Sequence, residues 1–241
     1  MSVQQDFDRI ALLTEASEDG AAHNDHYHNY LLQHLPANCG EVLEIGCGTG
    51  AFSRHLAQHL NATSHRDRNA GSAGILPASG ARILALDFSP EMIRIARARS
   101  AQFPNIEYEL ADVCERSFDV EGFDCIATIA TLHHLPYAEM LAKMKAALKP
   151  GGVLLVVDLF EPAGLMDSLL NLVAIPVSVG LRLMHYGRLL PPREERDAWK
   201  AHEQHDRYPT MREVRDVCAR VLPGAKIKQH LLWRYSIVWK K

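Results

Sequence analysis

The segment VLEIGCGTGAF, Val42–Phe52, sets Gly46, Gly48 and Gly50 at alternate positions directly after a short apolar run. EVLEIG has the content of a buried strand, and AFSRHLAQHL carries Phe52, Leu56 and Leu60 on one face of a helix. Strand, glycine turn and helix are the opening unit of a doubly wound α/β sheet, whose ligands bind at such turns. With Ala51 in the last place the spacing also satisfies G-x-G-x-x-G/A, the dinucleotide fingerprint. The turn by itself leaves the ligand open.

Outward from this turn the chain alternates strand and helix. ARILALDFS is a strand ending at Asp87. Ser89, Pro90 and Glu91 then open a helix with a hydroxyl cap, a proline at the first helical position and an acid at the positive end. NIEYELADV is a third strand running to Asp112, and FDCIATIATL a fourth, nearly continuous in apolar residues as a strand buried on both faces must be. YAEMLAKMKAALKPGG reads as an amphipathic helix stopped by Pro-Gly-Gly, and VLLVVDLF as the fifth strand. AKIKQHLLWRYSIVWKK holds two strands meeting near Trp233 and Arg234, too close for a crossover helix, so they pair antiparallel. The expected fold is α/β: a Rossmann-like seven-stranded sheet, mostly parallel with an antiparallel final hairpin, with helices on both faces.

Residues 1–241 read as a single domain with three segments outside this rhythm. Residues 1–40 form an N-terminal helical cover, in which Tyr27, Tyr30, Leu31 and Leu35 fall at helical spacing up to Pro36. Residues 64–81, SHRDRNAGSAGILPASGA, stand where about 2–6 residues usually suffice and read as an inserted, exposed loop. Residues 162–208 read as a helical lid or substrate region. Its fourteen uncharged residues between Asp167 and Arg182 fall short of the ~20 that a membrane span requires, and Pro176 interrupts them. Contact with a membrane surface is the minor reading of that stretch.

EIGCGTG, ALDFSPEMI, ADV, TLHHL and LKPGGVLLVVD follow one another in this order on these elements. In that arrangement the chain, from Glu41 to Lys241, resembles the class I S-adenosylmethionine-dependent methyltransferases, with motifs similar to those of ubiquinone and menaquinone methyltransferases. The resemblance implies S-adenosyl-L-methionine as cofactor, with Gly46, Gly48 and Gly50 letting the backbone close on it. It implies that Glu44 helps hold the methionine ammonium end, that Asp87 accepts the ribose hydroxyls, and that Phe88 flanks the adenine. Asp112 then stands near the adenine amine, Val113 supplies an adjacent amide, and Ile129 lies where sulfonium and acceptor meet. An NAD-dependent oxidoreductase also accommodates Asp87, because an acid at the second strand's end suits the NAD ribose. Against that reading stand the acid at 44, the SPEMI helix, the LKPGG turn and the reversed final hairpin.

Each of these acids has a plain structural reading. Glu44 can sit in a salt bridge, Asp87 can cap the helix beginning near Ser89, and Asp112 can be a loop acid. His23, His26 and His28 would splay over different helix faces, and no matching carboxylate-and-histidine set stands elsewhere, so no metal is expected. His133 and His134 match the family's LHH turn after the fourth strand; one faces sulfonium or acceptor and the other is structural. His202 and His205, with Asp206, form either a substrate-side acid–base group or a solvated helix face. These four histidines are the candidate catalytic bases, required only if the acceptor loses a proton as it attacks.

A formal net charge of −3 and the lack of a basic stripe argue against nucleic acid as a partner. The five cysteines form no C-x-x-C pair and read as small hydrophobes. The N-terminus carries early acids and no long apolar run, so the expected compartment is cytoplasmic. The function expected is methyl transfer to a small, hydrophobic acceptor. A non-catalytic cofactor-binding sensor or scaffold remains the alternative, and the apolar stretch 165–190 would equally serve a homodimer.

Overall fold

In the computed structural model, residues 3–16, 25–69, 80–163 and 207–241, together with Gly180, are described. Two helices, α1 (Val3–Ala16) and α2 (Asp25–Leu32), precede β1 (Glu41–Ile45) and α3 (Ala51–Asn69). There follow β2 (Arg82–Asp87), α4 (Pro90–Arg99), β3 (Ile106–Leu110), β4 (Phe123–Ile129), a single 3-10 turn (Leu132–His134), α5 (Tyr137–Ala147) and β5 (Leu148–Leu159). The chain closes with α6 (Met211–Val221), β6 (Lys226–Gln229) and β7 (Arg234–Lys240). All seven strands share one sheet in the order β3-β2-β1-β4-β5-β7-β6. The first five run parallel, and β7 lies antiparallel between β5 and β6. The expected Rossmann-like sheet with its reversed hairpin is the one observed.

Period-two alternation divides the core between the two faces of the sheet. Leu43, Ile45, Ile126, Leu154 and Val156 pack beneath α5 and α6, against Met140, Leu141, Met144 and Val214. Val42, Cys125, Ala127, Leu155 and Val157 face the opposite way, against Phe52, Leu56 and Leu60 of α3 and Tyr27 and Leu31 of α2. Helix α1 lies on α4, where Ile10 and Ala11 meet Met92 and Ile95. Four of the cysteines are buried and all five are free thiols.

Three sequence expectations change. Helix α2 ends at Leu32 rather than reaching Pro36, and the chain continues in turns. The supposed loop at 64–81 begins as helix, because α3 runs on to Asn69. No glycine or proline interrupts the chain from Ala51 to Asn69, so helix propagation meets no breaker before Gly71. The segment LKPGG does not end a helix but begins β5, since α5 stops at Ala147. Pro150 explains this: it lacks an N–H and drives the residue before it out of the helical region. One helix was not anticipated. Thr210 and Glu213 form a reciprocal capping box at the start of α6, visible in sequence as T-x-x-E.

Leu31 is fully buried and seats α2 against α3 and the sheet. Leu31→Ala is expected to cost about 2–5 kcal/mol of unfolding free energy, read from urea denaturation. A loss under about 1 kcal/mol would show that α2 contributes little to the stability of the core.

Candidate functional site

Strand order reverses between β1 and β4, and this opens a crevice at the carboxyl ends of the strands. The turn after β1 forms its floor. Leu86 O of β2 accepts from both Gly46 N–H (2.8 Å) and Cys47 N–H (2.9 Å). Gly46, Gly48 and Gly50 all adopt left-handed φ, at 71°, 52° and 75°. Their reasons differ. A Cβ on Gly46 would stand 2.0 Å from Thr131 Oγ1, and one on Gly50 would stand 2.3 Å from Tyr108 Oη. Among the described residues a Cβ on Gly48 would meet nothing within 4 Å. Gly46 and Gly50 therefore serve close packing, whereas Gly48 presents bare backbone to open space.

Two carboxyls flank this backbone. Glu44 is 2% exposed and accepts a hydrogen bond from Ser53 Oγ of α3 at 2.5 Å. Burial pushes the Glu44 carboxyl up to about 8, against the Ser53 hydrogen bond, while the charge of Asp87 pushes it further up. Asp87 Oδ2 accepts from Gly48 N–H (2.8 Å), and Oδ1 from Ser89 N–H (2.9 Å). Burial raises the Asp87 carboxyl, and these backbone donors oppose it. The helix-capping role belongs to Ser89, whose Oγ accepts from Met92 N–H at 3.2 Å. Asp87 instead ties the second strand to the glycine turn. Phe88 is half-buried beneath α1: its ring meets Phe7 edge-on at 5.5 Å, and its carbonyl accepts from Gln4 Nε2 at 3.1 Å.

Asp112 is exposed and organises a turn, its Oδ1 accepting from Cys114 N–H at 2.8 Å. Val113 is buried, and its carbonyl accepts from Lys143 Nζ of α5 at 2.6 Å. Ile129 ends β4. The next residue, Ala130, holds φ 51°, a left-handed conformation uncommon for a residue bearing Cβ. It is fixed by its N–H to Val157 O at 2.8 Å and by Thr131 Oγ1, which donates to Ile129 O at 3.0 Å.

The two histidines of the following turn lie against each other but take different partners. His134 meets Phe7 of α1 edge-on, with ring centroids 5.3 Å apart. His133 turns inward: its Nδ1 lies 2.6 Å from Asp158 Oδ1, and its backbone N–H donates to Asp158 Oδ2 at 2.8 Å. Asp158, at the carboxyl end of β5, is fully buried. Sequence reading missed it as a site residue. The signal was there, a lone acid in VLLVVDLF at a strand's end, matching the position of Asp87. Ser53 and Tyr108 carried no such signal, because only tertiary packing brings them to the turn. His202, His205 and the stretch 165–190 apart from Gly180 lie outside the described residues, as does residue 23 of the N-terminal histidine group.

Of that group, His26 is exposed and His28 is buried against His55, with their Nδ1 atoms 3.0 Å apart. Burial, then the nearby His55, pushes His28 down to about 4. Among the described residues no group of three metal-ligating side chains comes together. Nor is any described helix long and apolar enough to cross a membrane.

The raised Glu44 carboxyl has a consequence for stability. Between about pH 4.5 and about pH 8 the folded protein keeps a proton that the unfolded chain releases, so this group's contribution to stability falls as pH rises through that window. Glu44→Gln should flatten the pH dependence of urea unfolding over this range. Parallel wild-type and variant profiles would show instead that the buried carboxyl is ionised in the fold.

A family described as a methyltransferase domain matches residues 43–154. An uncharacterized methyltransferase of Mycobacterium bovis is 26% identical over 221 residues, covering 90% of this chain and 95% of that protein. The demethylmenaquinone methyltransferase of Tropheryma whipplei is 29% identical over 162 residues, 66% of this chain and 57% of that one. Among solved structures, a phosphoethanolamine N-methyltransferase of Haemonchus contortus in complex with S-adenosyl-L-methionine superposes with a TM-score of 0.56 at 16% identity, over 84% of this chain and 38% of that chain. Glycine turn, strand order, reversed hairpin and these likenesses agree: residues 43–154 match a methyltransferase domain, and the fold is that of solved S-adenosylmethionine-dependent methyltransferases.

Proposed function

We propose that this protein transfers the methyl group of S-adenosyl-L-methionine to a small, hydrophobic acceptor. The observation that carries the reading is the bare backbone of Gly48, open to a ligand and bracketed by the buried Glu44 and the half-buried Asp87. A pyrophosphate at this turn would face two carboxyls, whereas an amino-acid tail brings an ammonium to them. When bound, the cofactor supplies a methyl group already activated on a sulfonium.

The residues divide the cofactor between them. Glu44 serves the ammonium end, and Asp87, which uses only part of its acceptor capacity on Gly48 and Ser89, serves the ribose hydroxyls. Phe88 flanks the adenine beneath α1, with Asp112 and Val113 on its far side, and Ile129 borders the methyl. Residues 1–40 act as the cover: Phe7 of α1 touches both Phe88 and His134, so one helix spans the adenine side and the acceptor side. Positioning of this kind supplies several kcal/mol of a bimolecular barrier. An apolar acceptor is favoured by the relative whose name carries a quinone, and a small one by a chain with net charge −3 and no basic stripe.

Isothermal calorimetry should show one S-adenosyl-L-methionine site, and incubation of the protein with methyl-labelled cofactor and cell extract should give a labelled small molecule by mass spectrometry. Binding without any labelled product would favour a sensor, and no binding at all would overturn the reading. Asp87→Ala is expected to weaken the cofactor at least about tenfold, some 1.4 kcal/mol, with the circular dichroism unchanged. An arriving ammonium favours ionised Glu44, so binding should release a proton and tighten as pH rises toward about 8. Calorimetry in buffers of differing ionisation enthalpy measures that release; its absence, with Glu44→Gln binding normally, would remove Glu44 from the site.

A further inference from the structure

Three hydrogen-bond donors converge on the buried carboxyl of Asp158. His133 N–H reaches Oδ2 at 2.8 Å, while Leu159 N–H (2.8 Å) and the His133 Nδ1 edge (2.6 Å) share Oδ1. Two of these are backbone donors and cannot reverse; a carboxylate that meets them as an acceptor takes its third hydrogen bond from Nδ1–H. The opposite ring nitrogen, Nε2, is then the basic one. It has no hydrogen-bond partner among the described residues, although the side chain is only 4% exposed. The ring is clamped in this pose by His134, centroids 3.8 Å apart, and by Tyr208 at 4.9 Å. A ring fixed in plane and in tautomer, beside the turn after β4 and with its second nitrogen unpartnered among the described residues, is built to take a proton.

Resting on the methyl-transfer reading, we propose that His133 is the catalytic base and Asp158 its positioning residue, so that the acceptor is a group that surrenders a proton as it attacks: an alcohol, a phenol or an acidic carbon. The acceptor's electron pair forms the new bond to the methyl carbon as the carbon–sulfur bond breaks and leaves its pair on sulfur. The acceptor's proton passes to His133 Nε2, and Asp158 stabilises the resulting imidazolium. Release of that proton to water restores the base. Products are the methylated acceptor, S-adenosylhomocysteine and one proton. An amine that arrives neutral would make no use of this arrangement.

The groups facing the pair are Arg234 and Tyr235 from β7, Tyr137 from α5, and the rings of His134 and Tyr208. The cation of Arg234 acts on Asp158 through space. Its Nη1 is buried without a hydrogen-bond partner among the described residues, and its guanidinium lies over Tyr27 at 5.2 Å.

The test has one arm that needs no acceptor. Long-range proton–nitrogen correlation spectra of the intact protein, assigned by comparison with His133→Asn, should show His133 protonated at Nδ1 and bare at Nε2; the reverse tautomer would overturn the proposal. In the second arm, carbon-13-methyl cofactor is incubated with cell extract and the labelled atom is located by NMR. A label on oxygen or carbon supports the proposal, and a label on an amine nitrogen overturns it. In the third arm, His133→Asn keeps an N–H directed at Asp158 but removes the base. Its S-adenosylhomocysteine affinity should stay within about twofold while kcat for the recovered acceptor falls at least about 100-fold, less so at high pH. A fall of less than about threefold would overturn the proposal. Asp158→Asn, which cannot accept from all three donors, should reproduce the kcat loss and shift the pH profile; an unshifted profile with full kcat would count equally against it. A labelled product absent altogether strikes the methyl-transfer reading, while the tautomer spectrum still decides the role of this pair.

Discussion

The turn after β1 closes because residue 46 has no side chain. Thr131 occupies the place where its Cβ would stand, and Thr131 is itself held by a hydrogen bond to Ile129 O. The turn after the first strand is thereby pressed onto the turn after the fourth. Leu86 O, accepting from Gly46 and Cys47 together, fixes both to the end of the second strand. Three neighbouring strand ends are locked to one another before any ligand arrives. Such over-determination is what lets Ala130 persist in a left-handed conformation that costs of order 1–3 kcal/mol in a free chain. It also sets Gly48 between the two acids with no freedom to drift, because Asp87 holds its N–H.

The electrostatics of the turn follow from what its cation does not do. Arg54 is close enough to lower Glu44, but its Nη1 donates to the carbonyl of Thr49 at 2.9 Å, and it forms no ion pair with the acid. Among the described residues Glu44 has a serine as its only side-chain hydrogen-bond partner, buried and near a second carboxyl. A buried acid paired with arginine would be spent on structure. Burial raises this one, and an approaching positive charge would lower it again.

The sheet was legible because its signals are local and repeated: apolar runs, glycine and proline punctuation, and the Ser89-Pro90 helix start all act within a few residues. The glycine turn was legible as a turn, yet not in its division of labour, since the roles of Gly46 and Gly50 depend on Thr131 and Tyr108, far off in the chain. Errors fell where local signals conflict. LKPGG carries helix-stop residues, but β4 offers Leu148 a pairing partner in Phe123, and the strand begins there. The 64–81 segment looked loop-like by composition, yet its first six residues had a running helix to extend. The histidine pair could not be resolved by sequence at all, because the two rings lie against each other in one 3-10 turn and only the buried carboxyl of Asp158 distinguishes them.

Asp87 and Asp158 show one construction put to two uses. Each acid ends a parallel strand, accepts the backbone N–H of a residue just after it, and accepts another from the turn of a neighbouring strand. Each therefore staples adjacent turns at the rim of the crevice. A carboxylate has about four acceptor positions, so two backbone bonds leave capacity over in both cases. At Asp87 the residue stays half-buried beside the glycine turn whose Gly48 N–H it holds. At Asp158 the surplus is closed off from solvent and taken up by an imidazole. The same staple is left partly open at one strand end and is covered by a histidine at the other.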